Sequence, residues 1–135
     1  MERVMAIRVL FADSEERLLA VYRRFFARIG FEVATVSSGA ACFNMLNDWR
    51  PDAMVFEPDM CDAWADRIAL LAKSRDVPLL ILSRRDRYPI TSPVWEYHVK
   101  PASMKTIARS IRAALQKCKP GLCAHPPFTE QVAVR

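Results

Sequence analysis

The sequence lacks the features that mark a membrane protein or a secreted protein. Its apolar runs are short, and one such as residues 77–82 falls far below the roughly 20 residues that a membrane-spanning helix needs. The N-terminal residues enter a strand-like pattern directly, without the separate apolar stretch and cleavage site of a signal peptide. We therefore expect a cytoplasmic protein without a membrane partner.

The sequence also lacks a complete set of metal ligands. Cys118, Cys123 and His125 lie close together and offer ligands that zinc favours, but a structural zinc site needs a fourth ligand. Their spacing is not one of the familiar zinc pairs. Cysteines of a cytosolic protein are more often reduced thiols than disulfides. We therefore predict no metal site, and the role of this C-terminal cluster stays open.

The composition is that of one globular domain with a basic balance. The chain has 135 residues, of which 52% are hydrophobic and 26% charged, and its formal net charge is +5. A basic balance favours an acidic partner, whether a protein, a nucleic acid or a membrane surface. The pattern contains no recognition helix and no aromatic stacking platform, so a nucleic acid is the less expected partner.

Apolar runs alternate along the chain with helical periodicity. Short or alternating apolar runs predict five strands, at residues 6–11, 31–36, 52–56, 78–82 and 94–99. Helical spacing predicts helices after the first, second, third and fifth strands, and the last spans residues 103–119. Residues 83–93 contain two prolines and no apolar stripe, so a helix after the fourth strand should be short or missing. We expect a domain at residues 1–119 and an irregular tail at 120–135.

Several residues are expected to begin and end these helices. Asp13 or Ser14 can cap the first helix, and Gly30 can end it in a left-handed conformation. Ser37 or Ser38 can cap the second helix. Strands that alternate with helices imply a parallel sheet covered on both faces, with ligand chemistry at the carboxyl ends of the strands.

Four segments at those strand ends resemble the signature segments of response-regulator receiver domains, in the same order. They are residues 10–15 (LFADSE), 51–60 (PDAMVFEPDM), 79–83 (LLILS) and 97–101 (YHVKP), and the resemblance covers roughly residues 6–117. It implies a flavodoxin-like, doubly wound five-stranded α/β fold. It also implies a site in which an aspartate accepts a phosphoryl group while acids after the first strand help to hold Mg²⁺.

By the resemblance, part of that site is kept. Asp13 corresponds to the second acid, Ser83 to the hydroxyl and Lys100 to the lysine that bind phosphoryl oxygens. Tyr97 corresponds to the aromatic residue that couples to the hydroxyl. The resemblance further implies a cis peptide bond between Lys100 and Pro101.

Two positions depart from the family pattern. Ala12 stands where the first acid is expected, and Glu57 stands at the acceptor position. The extra methylene of Glu57 moves its carboxylate, and a displacement of about 1 Å can cost around a hundredfold in a reaction that depends on alignment. We therefore expect no phosphoryl chemistry, no bound Mg²⁺ and a direct contact between Glu57 and Lys100.

These departures predict a degenerate pseudo-receiver, a protein-binding module of two-component or phosphorelay signalling that is not an enzyme. Glu57 either imitates a phosphorylated aspartate or only neutralises Lys100, and the single charge of a carboxylate favours the second interpretation. Two alternatives stay open: a receiver that still accepts phosphate weakly, on Glu57 or Asp59, and a basic nucleic-acid-binding module. A possible docking surface for an acidic signalling protein consists of Arg84, Arg85, Arg87, Lys105, Arg109 and Arg112. The partner, the pathway, any output domain and the oligomeric state stay open.

Overall fold

The computed structural model describes residues 6–85 and 95–117 of the chain. The strands are β1 (Arg8–Ala12), β2 (Glu32–Val36), β3 (Ala53–Phe56), β4 (Leu79–Ser83) and β5 (Glu96–Val99). The helices within these ranges are α1 (Glu16–Arg28), α2 (Gly39–Asp48), α3 (Ala65–Ser74) and α4 (Met104–Lys117), with a 3₁₀ helix at Pro58–Trp64.

All neighbouring strands pair in parallel, in the order β2-β1-β3-β4-β5. This strand order is that of flavodoxin-like doubly wound sheets, so the predicted fold class is confirmed. The strand order reverses between β1 and β3, the place where such sheets bind ligands. The predicted short or missing helix falls mostly on residues 86–94, outside the described residues, as do Arg87 and the tail with its cysteine and histidine cluster.

The central strands are buried because their side chains face helices on both sides of the sheet. Val9 and Phe11 of β1 point into a core that α1 and α4 complete, whereas Leu10 and Ala12 point into one completed by α2 and α3. Phe11 stacks on Tyr22 of α1, with ring centroids 4.6 Å apart. Burying one such aromatic side chain contributes about 1.5–3 kcal/mol. The two cores hold the strand ends in a fixed arrangement.

The ends of the helices agree with the sequence in two cases and differ in one. Ser38 accepts a hydrogen bond from the backbone N–H of Ala41 at the start of α2, as predicted. Gly30 has φ 105° after α1, the left-handed conformation that glycine adopts without strain. The prediction that Asp13 or Ser14 caps α1 was wrong, because the residue at that cap is Glu15. Its side chain makes no capping hydrogen bond.

Candidate functional site

The carboxyl ends of the strands bring the predicted site residues to one edge of the sheet. Asp13 directly follows β1, Glu57 follows β3, Ser83 ends β4 and Lys100 follows β5. The peptide bond between Lys100 and Pro101 is cis, which confirms the prediction from the resemblance. Asp13, Glu57 and Ser83 are all buried although they are polar. Buried polar groups need partners, so the contacts among these residues define what the site can do.

Lys100 occupies the centre of this site. Its ammonium donates to Asp13 Oδ2 at 2.7 Å and to Glu57 Oε1 at 3.3 Å. The predicted contact between Lys100 and Glu57 is thus confirmed, although Asp13 is the nearer partner. A third carboxylate, that of Glu15, lies 3.6 Å from the ammonium. The Lys100 side chain is only 7% exposed, so water screens these ion pairs weakly.

The remaining oxygens of the two buried carboxylates are bound by backbone N–H groups. Asp13 Oδ1 accepts from the N–H of Glu15 at 2.9 Å. Glu57 Oε2 accepts from the N–H of Asp59 at 2.9 Å and so caps the 3₁₀ helix. Each of the four oxygens therefore has one donor within the protein. The Glu57 carboxylate thus binds both Lys100 and the start of the 3₁₀ helix that follows β3.

The two charged partners of this pair respond differently to burial. Burial raises the pKa of Glu57, and the nearby charge of Asp13 raises it further; the Asp59 N–H and Lys100 only partly oppose this. Burial lowers the pKa of Lys100, but the hydrogen bond and the charge of Asp13, with those of Glu57, reverse this and leave it raised. Lys100 is therefore held as a cation. The negative charge of Glu57 is disfavoured by its burial and by the charge of Asp13.

Ser83 and Tyr97 both bind the backbone of Arg85 and not the carboxylate of Glu57. Ser83 Oγ accepts from the backbone N–H of Arg85 at 3.2 Å, and Tyr97 donates its hydroxyl to the carbonyl of Arg85 at 3.2 Å. Within the described residues, Ser83 makes no hydrogen bond to Glu57. The coupling of Tyr97 to Ser83 that the resemblance implies stays a prediction.

The two described arginines after β4 pair with acids next to the site, although their side chains stay 64% and 55% exposed. Arg84 forms an ion pair with Glu15, and an Arg85 nitrogen lies 3.1 Å from Asp59 Oδ1. Neither acid was predicted to pair with these arginines, because Asp59 was considered only as a possible phosphate acceptor. Glu15 and Asp59 each stand two residues after a site acid, Asp13 and Glu57 respectively. This spacing was the signal in the sequence that places them near the site. Arg84 and Arg85 of the predicted docking surface are thus exposed but already paired with acids of the same chain.

The other predicted docking residues lie elsewhere. Lys105, Arg109 and Arg112 are exposed on α4 and line a groove between α4 and α1. The structure therefore divides the predicted surface into an arginine pair at the strand ends and a basic edge on α4. Arg87 lies outside the described residues.

Comparison with known proteins agrees with this fold. No protein-family model matches the chain. The transcriptional regulatory protein PrrA of Mycobacterium tuberculosis is 33% identical over 121 residues, which cover 84% of this chain and 52% of PrrA. Response regulator MprA of the same species is 26% identical over 123 residues, which cover 86% of this chain and 54% of MprA. The chain belongs to the response-regulator receiver family. It spans about half the length of these relatives.

Solved structures show the same receiver fold. The receiver domain of a LuxO repressor protein from Vibrio parahaemolyticus has a TM-score of 0.72 at 13% identity, covering 86% of this chain and 95% of that one. A response regulator receiver protein from Sinorhizobium medicae has a TM-score of 0.69 at 24% identity, covering 84% and 98%. Within the described ranges, no helix is long and apolar enough to cross a bilayer.

The receiver family implies Mg²⁺ at this edge of the sheet, but the residues present do not fit that ion. Mg²⁺ requires oxygen ligands in near-octahedral geometry, and Ala12 provides no side-chain oxygen. The ammonium of Lys100 already pairs with the carboxylates of Asp13 and Glu57, which would have to bind the ion. Among the described residues, no three acidic, histidine or cysteine side chains are grouped to hold a metal ion.

Proposed function

We propose that this receiver domain is a pseudo-receiver, a protein-binding module of two-component signalling that works without phosphorylation and without enzymatic activity. The observation that carries the proposal is the position of Lys100, whose ammonium binds Asp13 and Glu57 at the acceptor position. We place this function in the cytoplasm, with an acidic signalling protein as the partner.

Two features of Glu57 support the absence of phosphoryl transfer. An acceptor carboxylate needs an oxygen that can attack phosphorus in line with the leaving group. One oxygen of Glu57 accepts from Lys100, and the other caps the 3₁₀ helix. Attack would require breaking one of these hydrogen bonds in a buried site, where an unpaired polar group is costly. The missing acid at Ala12 further removes charge that would recruit Mg²⁺.

The contacts of Ser83 favour one of the two interpretations of Glu57. A mimic of the phosphorylated state would accept from Ser83 as well as from Lys100. The Ser83 hydroxyl is instead bound to the N–H of Arg85. This supports the interpretation in which Glu57 shares Lys100 with Asp13 and transmits no signal of its own.

Acetyl phosphate provides a direct test. We expect the mass of the intact protein to stay unchanged after incubation with acetyl phosphate and Mg²⁺, while a receiver that keeps its acceptor aspartate and both acids gains one phosphoryl group. A gain of one phosphoryl group on Glu57 or Asp59, located by peptide mass spectrometry, would contradict the proposal and support the weakly accepting alternative.

A further inference from the structure

A groove between α1 and α4 is separate from the strand-end site. Its volume is about 440 Å³, and Phe25, Ile29 and Ala108 contribute its apolar lining. Ile29 is 37% exposed, and Phe25 is half-buried. Apolar side chains grouped in a concave surface mark a binding site more often than scattered ones do.

One edge of this groove is strongly basic. Lys105, Arg109 and Arg112 follow one another at spacings of four and three residues, so they lie on one face of α4. All three are exposed, and none forms an ion pair with a described acidic residue. Arg112 also lies over the ring of Phe31, 5.1 Å from its centroid, which fixes one end of the edge. The sequence of α4 contains no acidic residue.

We infer that this groove binds an acidic amphipathic helix of the partner protein. The inference rests on the proposed function and deepens it by naming the docking site. Two or three apolar side chains of the helix would cover Phe25 and Ile29, and flanking carboxylates would pair with the edge of α4. Lys105 and Arg112 are separated by about 10 Å along the helix axis, which corresponds to about two turns. A short helix is therefore sufficient.

The basic edge of α4 and the apolar lining together favour an acidic amphipathic helix over a second copy of the chain or a nucleic acid. A second copy of the chain that presented the same face would bring two basic edges together in a domain whose net charge is already +5. A nucleic acid would pair its phosphates with the basic edge but would leave the apolar lining uncovered. An acidic amphipathic helix satisfies both parts of the groove.

The test uses the full chain and a labelled synthetic peptide. The peptide is a helix of about four turns with leucines at i, i+3, i+4 and i+7 and glutamates on both sides of them. Fluorescence anisotropy measures its affinity, and amide chemical shifts locate the contact. We expect saturable binding with shifts centred on Phe25, Ile29 and Ala108. Control peptides with lysines in place of the glutamates, or serines in place of the leucines, should not bind.

Matched variants separate the effect of the basic edge of α4 on peptide binding from the effect of the overall net charge. Lys105→Glu with Arg109→Glu reverses two exposed residues of the edge, and we expect it to weaken peptide binding by about tenfold or more. Lys73→Glu with Arg75→Glu makes the same change of charge at the end of α3, on the other face of the sheet. We expect that control to change the affinity by less than about twofold. Circular dichroism confirms that both variants are folded.

Three results would overturn the inference. They are no peptide binding, equal weakening by the two double variants, and tighter binding of a DNA duplex or phosphatidylglycerol vesicles with the same dependence on the edge. The acetyl phosphate experiment is independent of all three. A chain that is not phosphorylated and does not bind the peptide would refute the groove as a docking site but leave the pseudo-receiver proposal intact. A chain that is phosphorylated would refute that proposal directly.

Discussion

The ammonium of Lys100 lies nearer to the carboxylate of Asp13, at 2.7 Å, than to any other acid in the described structure. Both side chains are almost completely buried, at 7% and 3% exposure. Asp13 is therefore the main counter-charge of the lysine. Glu57, at the acceptor position, adds a second negative charge that the Lys100–Asp13 pair does not require. Replacing each acid in turn therefore tests their different roles.

We predict that Asp13→Asn destabilises the fold far more than Glu57→Gln does. Asp13→Asn removes the nearest partner of the buried Lys100 ammonium and leaves only the longer contacts to Glu57 and Glu15, so we expect a loss of up to about 3 kcal/mol. Glu57→Gln leaves the closer pair intact and keeps an oxygen that can accept from the Asp59 N–H, so a change within about 1 kcal/mol is expected. Urea unfolding at neutral pH measures both. Equal losses in the two variants would contradict this ranking.

The raised pKa of Glu57 predicts a specific dependence of stability on pH. A carboxyl whose pKa is higher in the folded state than its value of 4.5 in the unfolded chain gives stability at low pH. That contribution is lost as the pH rises through the folded pKa. The Glu57→Gln variant has no such group, so it should gain stability relative to the wild type between pH 4.5 and neutrality. Parallel urea titrations across this range test the prediction. A constant difference would show that the Glu57 pKa is not raised.

Part of the backbone was predictable from local signals in the sequence. Gly30 ends α1 and Ser38 caps α2, each as expected, whereas the cis bond before Pro101 was expected from the family resemblance. The order of apolar runs fixes which residues stand at the strand ends. Parallel strands then bring Asp13 and Glu57 to the same edge, so their meeting with Lys100 followed from the topology.

The partners of long side chains were not predictable in the same way. Arg84 reaches Glu15, which is 69 residues away in the chain, and that choice depends on the tertiary arrangement of β4 and α1. Glu57 has a second role as the cap of the 3₁₀ helix, which was not predicted. Ser83 was expected to face the acceptor position, but its hydroxyl is bound by the N–H of Arg85. Such competition among donors leaves no periodic signal in the sequence.

A second acid should show the opposite dependence on pH. The hydrogen bond from His98 lowers the pKa of Glu96 below 4.5; burial opposes this, and Ser110 contributes a further hydrogen bond. A lowered folded pKa gives stability above 4.5 that is lost as the pH falls through it. Because the Glu96 side chain is 40% exposed, solvent reduces the effect, and we expect Glu96→Gln to cost less than about 1 kcal/mol at neutral pH.

The stability deficit of Glu96→Gln should shrink as the pH falls below 4.5. The stability gain of Glu57→Gln should instead shrink as the pH falls from neutrality to 4.5. The two variants thus serve as controls for each other in one series of urea titrations. A Glu96→Gln deficit that grows in acid would contradict the assigned role of His98. It would also require another acceptor for the Ser110 hydroxyl.

The last prediction concerns the two positions at which this chain departs from the receiver pattern. Glu57→Asp alone shortens the acceptor but leaves Ala12 without a carboxylate, so we expect it to remain poorly phosphorylated. Ala12→Asp with Glu57→Asp adds the missing acid beside Asp13, and we expect this double variant to bind Mg²⁺ and to accept a phosphoryl group from acetyl phosphate. In that step an oxygen of the shortened acceptor carboxylate bonds to phosphorus, and acetate leaves.

Intact-mass spectrometry with and without Mg²⁺ checks this expectation. The matched control is Ala12→Asp with Glu57→Gln, which has the added acid but lacks an acceptor carboxylate. In this variant Mg²⁺ would compete with the Lys100 ammonium for the carboxylate of Asp13. If the double variant with the aspartate acceptor stays unmodified while binding Mg²⁺, the barrier does not lie in the charge of the site. Arg84 and Arg85, which pair with Glu15 and Asp59 beside the site, would then be the next residues to replace.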